Sequence, residues 1–161
     1  MPAGFALRRA KPAGRGWTSR YLRVYTRTMS YECYPTLLRA ATRRLAALYD
    51  EALAPFGVNI AQFSLLRMIR HAQPVSLTDL GHRAQLDRST VGRNVRVLER
   101  MELVSAGRGK DDQRQALISL TGAGEELLKR TGPVWRERQA SIETRIGAEK
   151  ITALRDILDT L

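Results

Sequence analysis

The sequence predicts a mainly α-helical protein with one small β-hairpin, and three observations carry that expectation. Apolar residues recur at steps of three and four through most of the chain beyond residue 34, the spacing of helices that bury one face. Asn59, Ser76, Asp87 and Thr121 stand immediately ahead of four such stretches, where their side chains can accept the free N–H groups of a first turn. Only between about residues 103 and 120 does the period fall to two, on either side of a polar segment that contains glycine.

Residues 35–54 set Leu38, Ala41, Leu45, Leu48 and Ala52 on one stripe, with Pro35 in the first turn, where its missing N–H is tolerated, and Pro55 and Gly57 as stops. A second helix opens at Asn59, whose spacing to Gln62 is that of a capping box. Ile60, Phe63, Leu66 and Ile69 form its apolar face as far as Gln73 and Pro74. Ser76, three residues ahead of Asp79, opens a short helix that buries Leu77, Leu80 and Ala84. Asp87 then caps a helix running to about Met101, with Val91, Val95 and Leu98 inward and Arg88, Ser89, Arg93, Asn94, Arg96 and Arg100 outward. Two short helices across a tight turn make a helix-turn-helix.

Residues 103–106 and 116–120 read as the two strands of a hairpin, a wing, around the polar residues 107–113. Thr121 caps a long helical region whose apolar positions include Leu127, Leu128, Val134, Trp135, Ile142 and Ile146. Gly132 and Pro133 are expected to kink or split it, because proline removes a donor and crowds the preceding turn. Gly147 ends that segment, and Ile151, Leu154, Ile157, Leu158 and Leu161 line a last helix.

A length of 161 residues suits one domain or two small lobes, and 43% hydrophobic with 27% charged residues excludes a disordered, collagen-like or fibrous chain. Cys33 is the single cysteine, so no intramolecular disulfide forms, and no apolar run reaches the roughly 18–20 residues of a membrane span. A cytoplasmic protein without a membrane partner is expected. The net charge of +11 points to a polyanion. Arg8, Arg9, Lys11, Arg15, Arg20, Arg23 and Arg27 supply seven of the 27 cations before the first acid, which leaves the rest of the chain only mildly basic. Residues 1–28, with Pro2, Pro12, Gly4, Gly14 and Gly16 and no apolar period, are expected to be a basic flexible extension. Such an extension is a nucleic-acid-binding arm, an organelle-type presequence or inert. Met29 stands three residues ahead of the first acidic residue, Glu32, and shortly before the first helix, and a translation start there is one expectation, a genuine basic arm the other.

The order of elements over residues 33–161 resembles the MarR family of winged helix-turn-helix regulators. The likeness rests on Gln62-Phe63-Ser64-Leu65-Leu66, on Asp87-Arg88-Ser89-Thr90-Val91, on Leu98-Glu99, and on Asp112-Gln113-Arg114 followed by Leu117-Ile118-Ser119-Leu120-Thr121. It implies a winged helix-turn-helix over residues 59–120 and a helical dimerisation region over residues 29–58 and 121–161. It further implies a homodimer on a pseudo-palindromic operator, a repressor, and control by a small-molecule effector or an oxidant. In the Asp-x-Arg pattern, Arg114 would reach the minor groove and Asp112 would stabilise the wing. Cys33, ahead of the first helix, resembles the sensing cysteine of organic-peroxide regulators in the family and becomes a candidate redox sensor.

Residue chemistry leads independently to double-stranded DNA. Arg pairs bidentately with guanine and Asn with adenine in the major groove, and Ser and Thr contact phosphates or bases. Arg88, Ser89, Thr90, Arg93, Asn94 and Arg96 are the candidates, with Thr90 also able to serve the cap. Arg108 and Lys110 would add phosphate contacts from the wing. Gly107-Arg108-Gly109-Lys110 lacks the spacing and following hydroxyl of a phosphate loop. His71 and His82 have no ligand-spaced partners, and no nucleophile, base and orienting group assemble from the sequence. No enzyme, metal or cofactor is therefore expected. Three positions depart from the family pattern: Ala106 replaces a frequent arginine, Glu102 a glycine in a left-handed cap, and Gly92 lies inside the recognition helix. Trp135, Ile142, Ile157 and Leu161 suit either an interface between two chains or an intramolecular core. Phe63, Met68 and, with the arm folded back, Trp17 are candidate walls of an effector site. A winged-helix protein-interaction module and a nonspecific architectural DNA binder remain as alternative functions.

Overall fold

The computed structural model describes residues 33–108 and 116–161, in two units that divide after Thr42. The expected basic extension, the start at Met29, Trp17 and the tip of the wing lie outside the described residues. In the first unit the described part is the opening of helix α1 (Tyr34–Leu53), headed by Cys33, whose carbonyl accepts the Leu37 N–H at 3.1 Å.

The second unit takes α1 onward into a 3-10 turn (Ala54–Phe56) and then α2 (Ile60–Ala72), β1 (Val75–Ser76), α3 (Leu77–Ala84) and α4 (Arg88–Arg100). Strands β2 (Val104–Arg108) and β3 (Ala116–Leu120) follow, then α5 (Gly122–Ile146) and α6 (Ala148–Thr160). The chain ends of α2 form where their side chains satisfy them: the Gln62 N–H donates to Asn59 Oδ1 and the Asn59 N–H to Gln62 Oε1, both at 2.9 Å. Asp50 Oδ1 takes the Ile60 N–H at 2.7 Å, joining the end of α1 to the start of α2. On α1 the predicted stripe is half-buried at Leu45, Leu48 and Ala52, whereas Leu53, off that stripe, is wholly buried.

The core gathers one face from each of α1 to α5 around a sheet. Leu53, Phe63, Leu66, Ile69, Leu80, Val91, Leu98 and Ile118 are buried, with Leu128 closing it from α5. Each contributes about 1.5–3 kcal/mol by leaving water. The sheet has three antiparallel strands in the order β1-β3-β2, with Val104 opposite Leu120, Ala106 opposite Ile118 and Arg108 opposite Ala116. The expected two-stranded wing thus gains β1, whose Val75 pairs with Ile118 and Ser76 with Leu117.

The expected split of α5 is corrected. The helix is not split at Gly132 and Pro133 but runs as one 25-residue element. The missing N–H of Pro133 removes a single backbone hydrogen bond, and the packing on both sides outweighs it. Leu128 and Thr131 are buried before it, and beyond it Trp135 lies on Phe63 with ring centroids 6.1 Å apart. Trp135 and Ile142 accordingly serve the chain's own body, Ile142 being 5% exposed. On α6, Ile157 and Leu158 are 46% and 68% exposed. Among the described residues no single helix is long and apolar enough to cross a membrane.

Candidate nucleic-acid interface

Helix α4 is held in place from its apolar side and from both ends. Val91, Val95 and Leu98 are at most 2% exposed. At the turn from α3, Gln85 is left-handed (φ 52°), and the Leu86 N–H donates to the Gly81 carbonyl at 3.0 Å. A Cβ on residue 81 would come within 3.0 Å of the Leu86 carbonyl oxygen, so glycine is what lets the two helices meet this closely.

The opposite face is open. Arg88, Ser89, Arg93, Asn94, Arg96 and Arg100 are exposed, as expected from the sequence, and Thr90 is half-buried. No acidic residue lies between Asp87 and Glu99, so the stretch between them projects three arginines, Arg88, Arg93 and Arg96, and Asn94, with Arg100 just beyond Glu99.

The hydroxyls of that face behave differently from the cations. Asp87 caps α4 through Oδ1, which accepts the Thr90 N–H at 2.8 Å and the Ser89 hydroxyl at 2.5 Å. Its Oδ2 accepts the Thr90 hydroxyl at 2.7 Å, and Thr90 Oγ1 in turn accepts from Arg93 Nη2 at 3.0 Å. The Ser89 hydroxyl, followed by the bonds from Thr90, holds the Asp87 carboxyl far below the usual carboxylate range. Sequence reasoning set Ser89 among the outward contacts; its hydroxyl is engaged by the cap. The spacing Asp-x-Ser-Thr carries that signal, since it sets two hydroxyl donors in the first turn beneath an acceptor-only carboxylate.

Beyond α4 the chain is stitched to α5. Glu102 is left-handed (φ 58°), as its place after the helix implied, with Glu102 N–H on the Glu99 carbonyl and Leu103 N–H on the Leu98 carbonyl. Thr121 donates its hydroxyl to the Glu102 carbonyl at 2.6 Å and its N–H to the Leu103 carbonyl at 3.1 Å, while Oγ1 accepts the Gly124 N–H. Gln73 adds a second tie, accepting the Leu120 N–H at 2.7 Å and donating to Glu125 at 3.1 Å. The wing base, the recognition helix and the start of α5 are therefore bonded to one another.

Of the predicted wing residues, Arg108 closes β2 opposite Ala116. Lys110, Asp112 and Arg114 lie outside the described residues. A separate cleft of about 270 Å³ opens between α2 and α5, walled by Phe63 and Trp135 and by Arg67, Arg70, Lys129 and Arg136. Arg67 stacks over Trp135, its guanidinium carbon 4.3 Å from the ring centroid. Phe63 was an expected wall; Met68 instead packs against the core, and the cationic side chains were not foreseen. Their signal is helical spacing, Arg67 with Arg70 on α2 and Lys129 with Arg136 two turns on along α5.

Cys33 is exposed, and Thr36 Oγ1 donates to its sulfur at 3.2 Å. That bond, with smaller help from the Thr36 backbone and Arg39, lowers the thiol pKa. Among the described residues no group of three His, Cys, Asp or Glu side chains assembles as a metal site, and His71 and His82 are exposed.

Comparison with known proteins points the same way. Residues 58–116 match the model of the MarR family. The HTH-type transcriptional regulator FarR of Neisseria gonorrhoeae is 30% identical over 75% of this chain and 83% of its own. The structure of the M. tuberculosis transcriptional regulator MOSR in complex with DNA is 34% identical, with a TM-score of 0.70 over 80% of this chain and 93% of that one. The S. aureus MepR–DNA complex shares the fold, with a TM-score of 0.71 at 22% identity over 80% of this chain and 98% of that one.

Proposed function

The chain belongs to the MarR family of transcriptional regulators, and from that premise we propose that it is a sequence-specific DNA-binding repressor rather than an enzyme, acting in the cytoplasm as a homodimer on a pseudo-palindromic operator. The observation that carries this reading is α4 itself, with three apolar residues locked into the core and four arginines and Asn94 exposed on the other side. Such a rod fits the major groove, where Arg88, Arg93, Asn94 and Arg96 meet base edges and phosphates. Arg108, Lys110 and Arg114 extend the contact along the wing into the minor groove, with Asp112 holding its geometry. That MOSR, similar over most of the chain, was solved with DNA supports the same partner.

Two-fold pairing sets twin recognition helices about 34 Å apart, one turn of DNA. The exposed apolar residues of α6, Ile157 and Leu158, supply surface for it. An effector would act by preferring one spacing of those helices over another. The cleft between α2 and α5, aromatic in body and cationic at its rim, suits an anionic aromatic molecule. Cys33, with its lowered pKa, offers an oxidant a route instead.

The test is selection of bound fragments from genomic DNA, followed by affinity measurements on the recovered duplex across a salt series. The expected results are preference for that duplex over a scrambled one, a logarithmic salt slope near −0.9 per neutralised phosphate, and a dimer in sedimentation. Equal affinity for both duplexes would refute the reading. Peroxide that leaves Cys33 unmodified and affinity unchanged would exclude the oxidant route.

A further inference from the structure

The chain of bonds at the start of α4 gives Thr90 a role different from that of its neighbours. Asp87, Thr90 and Arg93 follow one another at steps of three, which sets them along one ridge of the helix. Each link has only one sense. The Asp87 carboxylate can only accept and the Arg93 guanidinium can only donate. The hydroxyl between them must therefore point its proton at Asp87 Oδ2, 2.7 Å away, and its lone pair at Arg93 Nη2, 3.0 Å away. Asp87 cannot swing aside to release it, because Oδ1 is engaged by the Thr90 N–H and the Ser89 hydroxyl. The Thr90 hydroxyl has its donor and one acceptor site committed, and the residue is half-buried beneath the exposed Arg93.

We propose that Thr90 is a positioning residue: its hydroxyl, oriented by Asp87, fixes the guanidinium of Arg93 in the attitude that reads a base, and Thr90 itself makes no contact with DNA. This rests on the groove-binding reading above. An exposed arginine otherwise samples many rotamers, and ordering it on binding costs affinity that pre-organisation recovers. One N–H of Arg93 is spent on Thr90, which leaves four of its five donors, enough for a bidentate pair with guanine. The benefit falls on discrimination between sequences more than on attraction to phosphate, because a point charge serves phosphate from any rotamer while a base edge accepts only one.

The test compares the tightest duplex recovered by selection from random double-stranded DNA with a composition-matched scramble, using the full chain. Thr90→Val keeps the β-branched shape and the backbone N–H that caps the helix but removes both hydroxyl bonds. The expected result is a loss of about tenfold in the ratio of the two affinities, with scramble affinity and salt slope unchanged. Thr90→Ser, which restores the hydroxyl, should return the ratio to within about threefold of the parent. The double variant Thr90→Val with Arg93→Ala should select no worse than Arg93→Ala alone. Asp87→Asn retains an acceptor for the cap but replaces the other oxygen with a donating NH2, and should lower selectivity as Thr90→Val does. Circular dichroism verifies that each variant is folded. Parental selectivity in folded Thr90→Val overturns the proposal, as does a further loss when Thr90→Val is added to Arg93→Ala, which would mean that Thr90 touches DNA itself. A parent protein that does not distinguish the two duplexes refutes the groove-binding reading, and the proposal falls with it.

Discussion

The same substitution, glycine to alanine, should have opposite effects on stability at residues 92 and 124. Within α4, a Cβ at Gly92 meets nothing within 4 Å, so alanine there only removes backbone freedom from the unfolded chain and gains about 1 kcal/mol of helix propensity. In the first turn of α5, a Cβ at Gly124 would lie 2.1 Å from the Leu103 carbonyl oxygen and 3.1 Å from its carbon. Carbon and oxygen approach no closer than about 3.3 Å in comfortable contacts, so one of the two segments must retreat by roughly 1 Å. Overpacking of that kind costs about 1–3 kcal/mol, and the retreat also strains the Thr121 N–H bond to the same carbonyl, about 1 kcal/mol more. The net expectation is a loss of about 2–4 kcal/mol, a large part of the stability of an ordinary domain. Urea unfolding at one fixed protein concentration measures it: the midpoint should fall by about 1 M or more for Gly124→Ala and rise slightly for Gly92→Ala. An unchanged midpoint for Gly124→Ala would refute the close approach of α5 to the end of α4.

Other expectations follow from the same geometry. Because hydrogen bonds depress the folded-state pKa of Asp87, its cap stabilises α4 fully above the ordinary carboxylate range, and that contribution declines as pH falls below that range and is gone once pH passes the depressed value. NMR of the Asp87 side-chain carboxyl should therefore show no midpoint near pH 4; a titration there means that the cap network does not form. Arg93→Ala should relax base preference at one operator position by about 1–3 kcal/mol, while Arg114→Ala should weaken wing docking. Binding assays on single-base operator variants separate the two, and identical profiles would contradict the division of labour. Leu158→Glu, at an exposed position of α6, should leave helicity intact and shift sedimentation from dimer to monomer, and a persistent dimer would move the interface elsewhere.

What could be read from the sequence was what is decided locally. Asn59, Ser76, Asp87 and Thr121 each accept a backbone N–H within three residues, so the starts of four helices were visible in the residues themselves. The inward and outward faces of α4 followed from periodicity alone. Strand β1 was not legible, because two residues after Pro74 become a strand only through Leu117 and Ile118, some forty positions later. The fate of Pro133 likewise depended on partners: Phe63 under Trp135 and the buried Leu128 and Thr131 keep α5 whole. Periodicity marked Trp135 and Ile142 as apolar but could not say whose core they fill. The cationic cleft escaped notice because its two halves lie on different helices, each looking by itself like an ordinary solvated face.

The joint among Glu102, Leu103, Thr121 and Gly124 has a mechanical corollary. Its bonds run between main-chain groups and the Thr121 side chain, none of which needs to face a duplex. Side chains along the outer surface of α4 can then be exchanged, and a different stretch of genome chosen, without loosening the hinge pin. Conversely, because these bonds tie the start of the long helix to the end of α4, a displacement of the one is expected to carry the other with it, whatever side chains the outer surface bears.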